Sequence, residues 1–277
     1  MPGNVRVTLG ESELRACHSC GTWVYFPRPA AAQQAAIHDT ADYFEHPYFE
    51  LRRRAGDAQI RRCKQIMLRL TEAVGVSLRG ERVLDVGCDT GLFLSIAARE
   101  FGIRPVGVDV GARAVAVAAE QGIEAYHTPI ETAPEHLRDL RAMTAIDLVE
   151  HVSDPAAFLR ELRKRLAPGG VIYLETPNIR SAVYKIGRIL SKFMGGRPAA
   201  LYERLFPPQH IQYFTRESFQ ALATSCELEV TQIGTRMLPS ADTAASAPVR
   251  AAMAGMQGID ALTGERILLW ATLRRPS

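Results

Sequence analysis

Short apolar runs bounded by Gly, Pro, Asn or Asp read as buried strands, and stretches with apolar residues three and four apart read as helices. After an irregular front segment of about 55 residues, this pattern predicts a helix over 57–73, a strand from Arg82, a helix over 91–101 and a strand over 105–109. It continues with a helix over 112–121, a short strand over 124–127, a helix over 133–141, a strand over 142–149, a helix over 155–166 and a strand over 171–175. Strict alternation of this kind predicts an α/β fold, a mostly parallel sheet with helices on both faces. Between Asn178 and Thr215 the alternation stops. An amphipathic stretch over 181–193, the pair Gly195-Gly196 and a proline-bearing segment ending at His210 form an insertion. Ligands of open α/β sheets lie beyond the carboxyl ends of the strands, so residues 178–214 are expected to hang over the ligand as a lid. A helix over 216–224, a strand over 228–234, an alanine-rich connection over 239–264 and a strand over 266–273 close the chain. Residues 241–252 read equally as a helix or a mobile segment.

Two punctuation signals sharpen the pattern. Asp154 before Pro155 predicts a helix start, because the carboxylate caps free amides and proline is pre-shaped for the first turn. Pro168-Gly169-Gly170 predicts a helix stop and a turn into the next strand.

Composition adds bounds. The 277 residues, 47% apolar and 23% charged, suffice to bury one good core. A net charge of +3 is too small to imply a nucleic-acid partner. Arg52-Arg53-Arg54 and Arg61-Arg62 could hold an acidic group but read first as a solvated helix face. No run approaches the ~18 apolar residues of a membrane span, and Met1-Pro2-Gly3-Asn4 lacks a signal-peptide profile. Cys17, Cys20, Cys63, Cys88 and Cys226 are odd in number and scattered, which argues against a disulfide framework. No membrane partner and a cytoplasmic location are expected; the sequence sets no oligomeric state.

The chemistry concentrates in Val83-Leu84-Asp85-Val86-Gly87-Cys88-Asp89-Thr90-Gly91 and in Val106-Gly107-Val108-Asp109-Val110. Strand, glycine-rich turn, helix and second strand ending in an acid make a nucleoside-binding half-fold. Gly87 and Gly91 lack the Cβ that would hold a ligand off the backbone. Asp109 stands about 20 positions on, where a carboxylate accepts from both ribose hydroxyls. A diphosphate binder should read G-x-G-x-x-G, whereas here Asp89 occupies the turn and would repel a diphosphate while welcoming an ammonium group. Asp85 can reach the same ammonium.

These residues resemble the first motif of class I S-adenosylmethionine-dependent methyltransferases, V-L-D-x-G-C-G-T-G, with Asp89 in place of the middle glycine. Asp tolerates the left-handed backbone that such a turn demands. Ala145 to Pro155, Leu166 to Leu174, Glu175-Thr176-Pro177-Asn178 and Pro207 to Thr215 extend the resemblance over about residues 60 to 277. The subgroup resembled includes ubiquinone-biosynthesis O-methyltransferases and many sugar and natural-product methyltransferases. It implies a Rossmann-like seven-stranded sheet, an antiparallel last strand and S-adenosylmethionine as cofactor, held by Asp85, Gly87, Cys88, Asp89, Gly91, Asp109, Val110 and Asp147. The implied units are a cap over 1–55 and a catalytic domain over 56–277, with the lid inside it.

A hydroxyl acceptor profits from a base. His151, just past a strand end, is the first candidate, and His210, on the lid, the second; for each, a merely loop-fixing histidine is the alternative. Asp147-x-x-Glu150-His151 also resembles the E-x-x-E-H element through which some ubiquinone-pathway enzymes bind a divalent ion. Related methyltransferases carry D-x-x-E-H without a metal, and strand side chains alternate, so no metal is expected. Cys17-His18-Ser19-Cys20-Gly21 with Trp23 to Phe26 resembles half of a zinc ribbon. No second C-x-x-C follows, so a degenerate ribbon packed by its aromatics is expected unless His18, His38 or His46 completes a shell. Asp42-Tyr43-Phe44 and Tyr48-Phe49 could close one side of the acceptor site, and Tyr184, Phe193, Tyr202, Phe206, Tyr213 and Phe214 could line it or simply pack the lid.

The reading is therefore methyl transfer to a small-molecule acceptor, at a hydroxyl of a sugar or natural-product intermediate. Its alternatives are carbon methylation of a sugar nucleotide, a non-catalytic cofactor-binding scaffold, and a nicotinamide oxidoreductase.

Overall fold

The computed structural model describes residues 4–9, 12–28, 56–194, 205–207, 209–237, 255 and 258–277. The front of the chain forms β1 (Asn4–Leu9), β2 (Ser12–Ala16) and β3 (Trp23–Phe26), so its first part is a sheet and not the irregular segment expected. Helix α1 (Asp57–Val74) follows and ends on Gly75, whose left-handed conformation lets its amide bond the Thr71 carbonyl. Then come β4 (Arg82–Val86), α2 (Leu92–Phe101), β5 (Arg104–Asp109), α3 (Ala112–Glu120) and β6 (Glu124–His127). The second half holds β7 (Leu140–Ile146), α4 (Pro155–Arg165), β8 (Leu166–Pro177), α5 (Ala182–Met194), β9 (Gln212–Tyr213), α6 (Arg216–Ser225), β10 (Glu229–Arg236) and β11 (Leu268–Arg274).

Seven strands form one sheet in the order β10-β11-β8-β7-β4-β5-β6. The five from β6 to β8 are parallel, and β11 runs antiparallel between β8 and β10. This is the seven-stranded Rossmann-like sheet expected, with the antiparallel strand in its expected place. Both faces are covered, which explains the unbroken apolar runs: Val83, Leu84, Ala142, Met143, Ile172 and Leu174 are fully buried. One apolar layer packs α4 and α6 on the sheet, another packs α1 and α2 on its opposite face.

Asp154 caps α4 as its sequence predicts, accepting from the amides of Ala156 and Ala157. Three expectations fail locally. The helix over 133–141 is replaced by a 3₁₀ turn at Ile130–Thr132 and further turns. The buried Arg165 guanidinium collects the carbonyl of Ile130 (2.8 Å) and those of Ala133 (3.1 Å), Pro134 (3.1 Å) and Leu137 (3.4 Å), the last three being groups that the expected helix would have bonded to its own amides. The strand over 142–149 instead ends at Ile146, because Asp147 turns the chain with a φ of 54°. Pro168-Gly169-Gly170 does not precede β8 but lies inside it, where the register against β7 slips and Gly170 pairs with Arg275.

The front strands make a second sheet, β1-β2-β3-β9, whose last member comes from the far side of the insertion. Trp23 pairs with Tyr213 and Val24 with Gln212. Leu14, Val183, Tyr184, Phe206 and Tyr213 form the core between this sheet and α5. Among the described residues no helix is long and apolar enough to cross a membrane.

Candidate functional site

The turn from β4 to α2 needs three left-handed residues in a row of five. Gly87 has φ 76°, Asp89 47° and Gly91 78°, so the acid occupies the left-handed position expected of it. The glycines serve packing more than ligand clearance. A Cβ on Gly91 would stand 2.2 Å from Ile123 Cδ1, and one on Gly87 3.1 Å from Leu148 Cδ2. Gly107 on β5, which sequence reasoning passed over, lets the Cys88 thiol seat against the neighbouring strand; a Cβ there would lie 2.6 Å from Sγ. Cys88 is thus a core side chain, 3% exposed. Gly91→Ala is expected to destabilise the chain by about 2–4 kcal/mol, the cost of an L-residue in the left-handed region plus the crowding of its Cβ against Ile123, read as a lowered urea midpoint at unchanged slope.

Asp109 ends β5 and ties this corner together. Its Oδ2 accepts from the Asp89 amide at 2.9 Å and its Oδ1 from the Gly111 amide at 2.8 Å. Val110 beside it is 40% exposed, and its carbonyl meets His127 Nε2 at 3.0 Å. Asp85, buried under the turn, accepts from the Thr144 hydroxyl at 2.6 Å. Burial pushes the Asp85 carboxyl up to about 8; the Thr144 hydrogen bond opposes this, and Asp109 and Asp89 add repulsion. Burial likewise raises Asp109, against its two amide bonds. The carboxyls of Asp85, Asp89 and Asp109 lie close enough to repel one another, so a cation placed among them would be stabilised.

Beyond the end of β7 a second cluster forms. Glu150 is fully buried and accepts from the Thr176 hydroxyl at 2.9 Å. His151 Nδ1 lies 2.9 Å from the Gln209 carbonyl, and the His151 and His210 rings meet edge to face, 4.7 Å between centroids. One oxygen or nitrogen of each of Glu150, His151 and His210 lies within 4.8 Å of the others. The two candidate histidines, 59 positions apart in the chain, therefore come together. Strand β9 brings them there: the Ile211 amide bonds the Glu150 carbonyl, and the buried Gln212 side chain spans the carbonyls of Val149 and Val152. The Tyr25 amide then bonds the Ile211 carbonyl, so β3 holds the same strand from its other side.

Asp147 does not join that cluster. It bonds Arg62 at 2.9 Å, and Arg62 also pairs with Glu175, which in turn binds Arg236 (2.5 and 2.6 Å) and the Tyr173 hydroxyl (2.9 Å). Burial alone would lower the Arg62 guanidinium, but Glu175 and Asp147 hold it charged; the Glu175 carboxyl is lowered because Arg62 and Arg236 outweigh its burial. Arg62 is thus an internal residue and not part of a solvated face. Arg61 is exposed, and Arg52 to Arg54 lie outside the described residues.

A sequence profile of the family described as Methyltransferase domain matches residues 53–233. The chain belongs to that methyltransferase family. Ubiquinone biosynthesis O-methyltransferase of Sodalis glossinidius is 38% identical over 108 residues, 36% of this chain and 43% of the relative. The protein of the same name from Pseudomonas entomophila is 32% identical over 126 residues, 43% of this chain and 54% of the relative. The chain spans about half the length of the curated relatives it matches. Among solved structures, plantazolicin methyltransferase BpumL in complex with SAH has a TM-score of 0.57 at 17% identity, covering 88% of this chain and 96% of that one. Geranyl diphosphate C-methyltransferase of Streptomyces coelicolor has 0.54 at 15%, covering 76% of each. At such identities these two likenesses speak for the fold.

The matched span of this methyltransferase runs from the start of α1 into β10 and leaves the front strands outside. Sequence reasoning missed the Arg62–Glu175–Arg236 network and the role of Gln212. Glu175 closes an apolar strand, a position where a lone acid in a buried run signals a paired charge. Gln212 carried no signal, since its partners are main-chain carbonyls. Of the aromatic candidates, Tyr184, Phe206 and Tyr213 pack on one another, Phe214 packs on Phe219, and Phe193 is 84% exposed. Tyr202, His38, His46, Asp42 to Phe44, Tyr48-Phe49 and residues 241–252 lie outside the described residues. Cys17 and Cys20 are free thiols bonded to the Ser19 and Thr22 hydroxyls.

Proposed function

We propose that this methyltransferase moves the methyl group of S-adenosylmethionine to a hydroxyl oxygen of a small molecule, a sugar or natural-product intermediate. The observation that carries the donor half is the crevice of Asp85, Asp89 and Asp109 around a glycine turn. Asp109, already fixing two amides, presents its remaining lone pairs to the ribose; Gly87, Gly91 and the Cys88 main chain frame the adenosyl group, and Val110 covers the base. Asp85 and Asp89 meet the ammonium of the methionine end. Asp147, at the mouth of β7, borders the reacting sulfonium while its charge is shared with Arg62.

The acceptor lies on the other side of the methyl, under residues 178–214 acting as a lid, with the cap over 1–55 buttressing that lid through β3 and β9. The name of the curated relatives supports oxygen as the target. In the step itself an acceptor hydroxyl gives its proton to His151, assisted by His210. An oxygen lone pair forms the new bond to the methyl carbon, and the carbon–sulfur pair returns to sulfur as a neutral thioether. Most of the acceleration comes from holding the two reactants in line. The free thiols support a reducing compartment, the cytoplasm.

Transfer of a labelled methyl to a panel of sugar, sugar-nucleotide and catechol acceptors tests the reading, with the product linkage separating oxygen from carbon. No label on any hydroxyl, with the donor bound, would remove it. The acid crevice adds a pH dependence. Because Asp85 stays protonated to about 8 without ligand, and an ammonium favours its ionised form, binding releases a proton. Affinity for S-adenosylhomocysteine is expected to rise by up to tenfold per pH unit below about 8 and to flatten above it; Asp85→Asn should remove the slope in calorimetric titrations.

A further inference from the structure

We infer that Glu150, His151 and His210 form a binding site for one divalent transition-metal ion, a zinc-like ion and not magnesium. The inference rests on the proposed transfer to a hydroxyl, replaces the free imidazole base of its acceptor half by an ion, and leaves the donor half untouched.

Three donor atoms, one carboxylate oxygen and two imidazole nitrogens, already converge within 4.8 Å of one another, two from the adjacent Glu150 and His151 and the third from His210 in the insertion. Bound to one ion at ~2.1 Å, such atoms stand about 3.4 Å apart, a contraction that small rotations of either ring supply. The donor set decides the class of ion. Two imidazoles and one carboxylate suit zinc, cobalt, nickel, manganese or iron, whereas magnesium asks for an all-oxygen shell. Asp147, the acid that could have made an oxygen-rich shell with Glu150, is turned away and bonded to Arg62.

The surroundings are those of ligating side chains. Metal-bound histidines usually fix their second nitrogen on a carbonyl or carboxylate, and bound carboxylates are themselves hydrogen-bonded. His151 holds Nδ1 against the Gln209 carbonyl, which places the lone pair on Nε2. Glu150 holds one oxygen on the Thr176 hydroxyl and lies fully buried, where a cation would offset the cost of its charge. The Tyr213 hydroxyl, wholly buried and close enough to Glu150 to be raised by its charge, makes no hydrogen bond among the described residues. Three protein ligands leave an ion of this class a further position, the arrangement that catalytic ions use. An acceptor hydroxyl taken there loses its proton to solvent because the ion lowers its pKa, and its oxygen lone pair then attacks the methyl carbon as the carbon–sulfur pair returns to sulfur. The imidazoles then act as ligands in place of a free base.

The test is a titration of the tag-free, chelator-stripped full chain with Co²⁺, read by its visible d–d absorption, with S-adenosylhomocysteine calorimetry on the same samples. One equivalent should bind with tetrahedral-type bands and be displaced by Zn²⁺. Glu150→Gln and His151→Ala should weaken it at least a hundredfold. Thr176→Val, which keeps every ligand and loses only the second contact of Glu150, should weaken it about tenfold. A Cys17→Ser/Cys20→Ser variant should bind as the parent does, without change in the near-ultraviolet. Absence of the visible bands in the parent chain, their persistence in Glu150→Gln and His151→Ala, or their loss in the cysteine variant would overturn the site. Should Co²⁺ fail while S-adenosylhomocysteine binds, the ion site falls and methyl transfer stands; the reverse pattern sinks the donor reading alone.

Discussion

Asp109→Ala is expected to weaken S-adenosylmethionine binding about a thousandfold, or ~4 kcal/mol, in a calorimetric titration. Two terms add. Two charge-assisted hydrogen bonds to the ribose diol are lost, each contributing about 1.5–3 kcal/mol. The amides of Asp89 and Gly111, now held at 2.9 and 2.8 Å, lose their acceptor, so the left-handed turn at Asp89 is no longer pinned. Asp109→Asn separates the terms. An amide keeps one acceptor oxygen, so it should recover part of the turn but little of the diol recognition. Equal affinity in the parent and the alanine variant would remove Asp109 from the donor site and with it the proposed orientation of the nucleoside.

His151→Ala is expected to lower kcat by about a thousandfold while leaving the affinity for S-adenosylhomocysteine within twofold of the parent. Loss of a positioned base or ion ligand has that order of effect on the chemical step. The His151 side chain meets the Gln209 carbonyl and the His210 ring, whereas Asp109 bonds the amides of Asp89 and Gly111 and Asp85 the Thr144 hydroxyl. A fall in affinity instead of turnover, measured by single-turnover transfer of labelled methyl, would show that His151 merely shapes its loop. His210→Ala should follow the same pattern, and the double variant should cost little more than either alone if the pair acts as a unit.

The turn after β4 and the acid that ends β5 were legible in the sequence because their demands are local. A strand, a turn needing left-handed residues and a strand-ending acid all lie within about 25 residues, and the type of residue at each place follows from backbone geometry. The mostly parallel sheet was legible from the alternation of strands and helices, and its seven strands with an antiparallel last one from the family resemblance. The failures share one cause, a distant side chain overriding a local preference. Residues 133–141 look helical until Arg165, more than 20 positions later, claims the carbonyls of Ala133, Pro134 and Leu137. Arg62 looks like one of a solvated pair until Glu175 and Asp147 enclose it. Glu150 and His151 were visible as a motif and His210 as a separate candidate, but their convergence was not, since only the fold of the insertion carries His210 there. The front strands escaped notice because β1 and β2 are short and mix charge with apolar residues; their pairing with β9 supplies what their own pattern lacks.

The membership of β9 in the front sheet orders events during synthesis. Strands β1 to β3 are made before the neighbour that completes their sheet, Gln212–Tyr213, which follows nearly 190 residues later. The nascent front ribbon must wait, while the parallel strands around Asp85 and Asp109 can collapse as they emerge. The strands that carry Asp85 and Asp109 can therefore assemble before the two-residue seam that joins the insertion to the front sheet has been made.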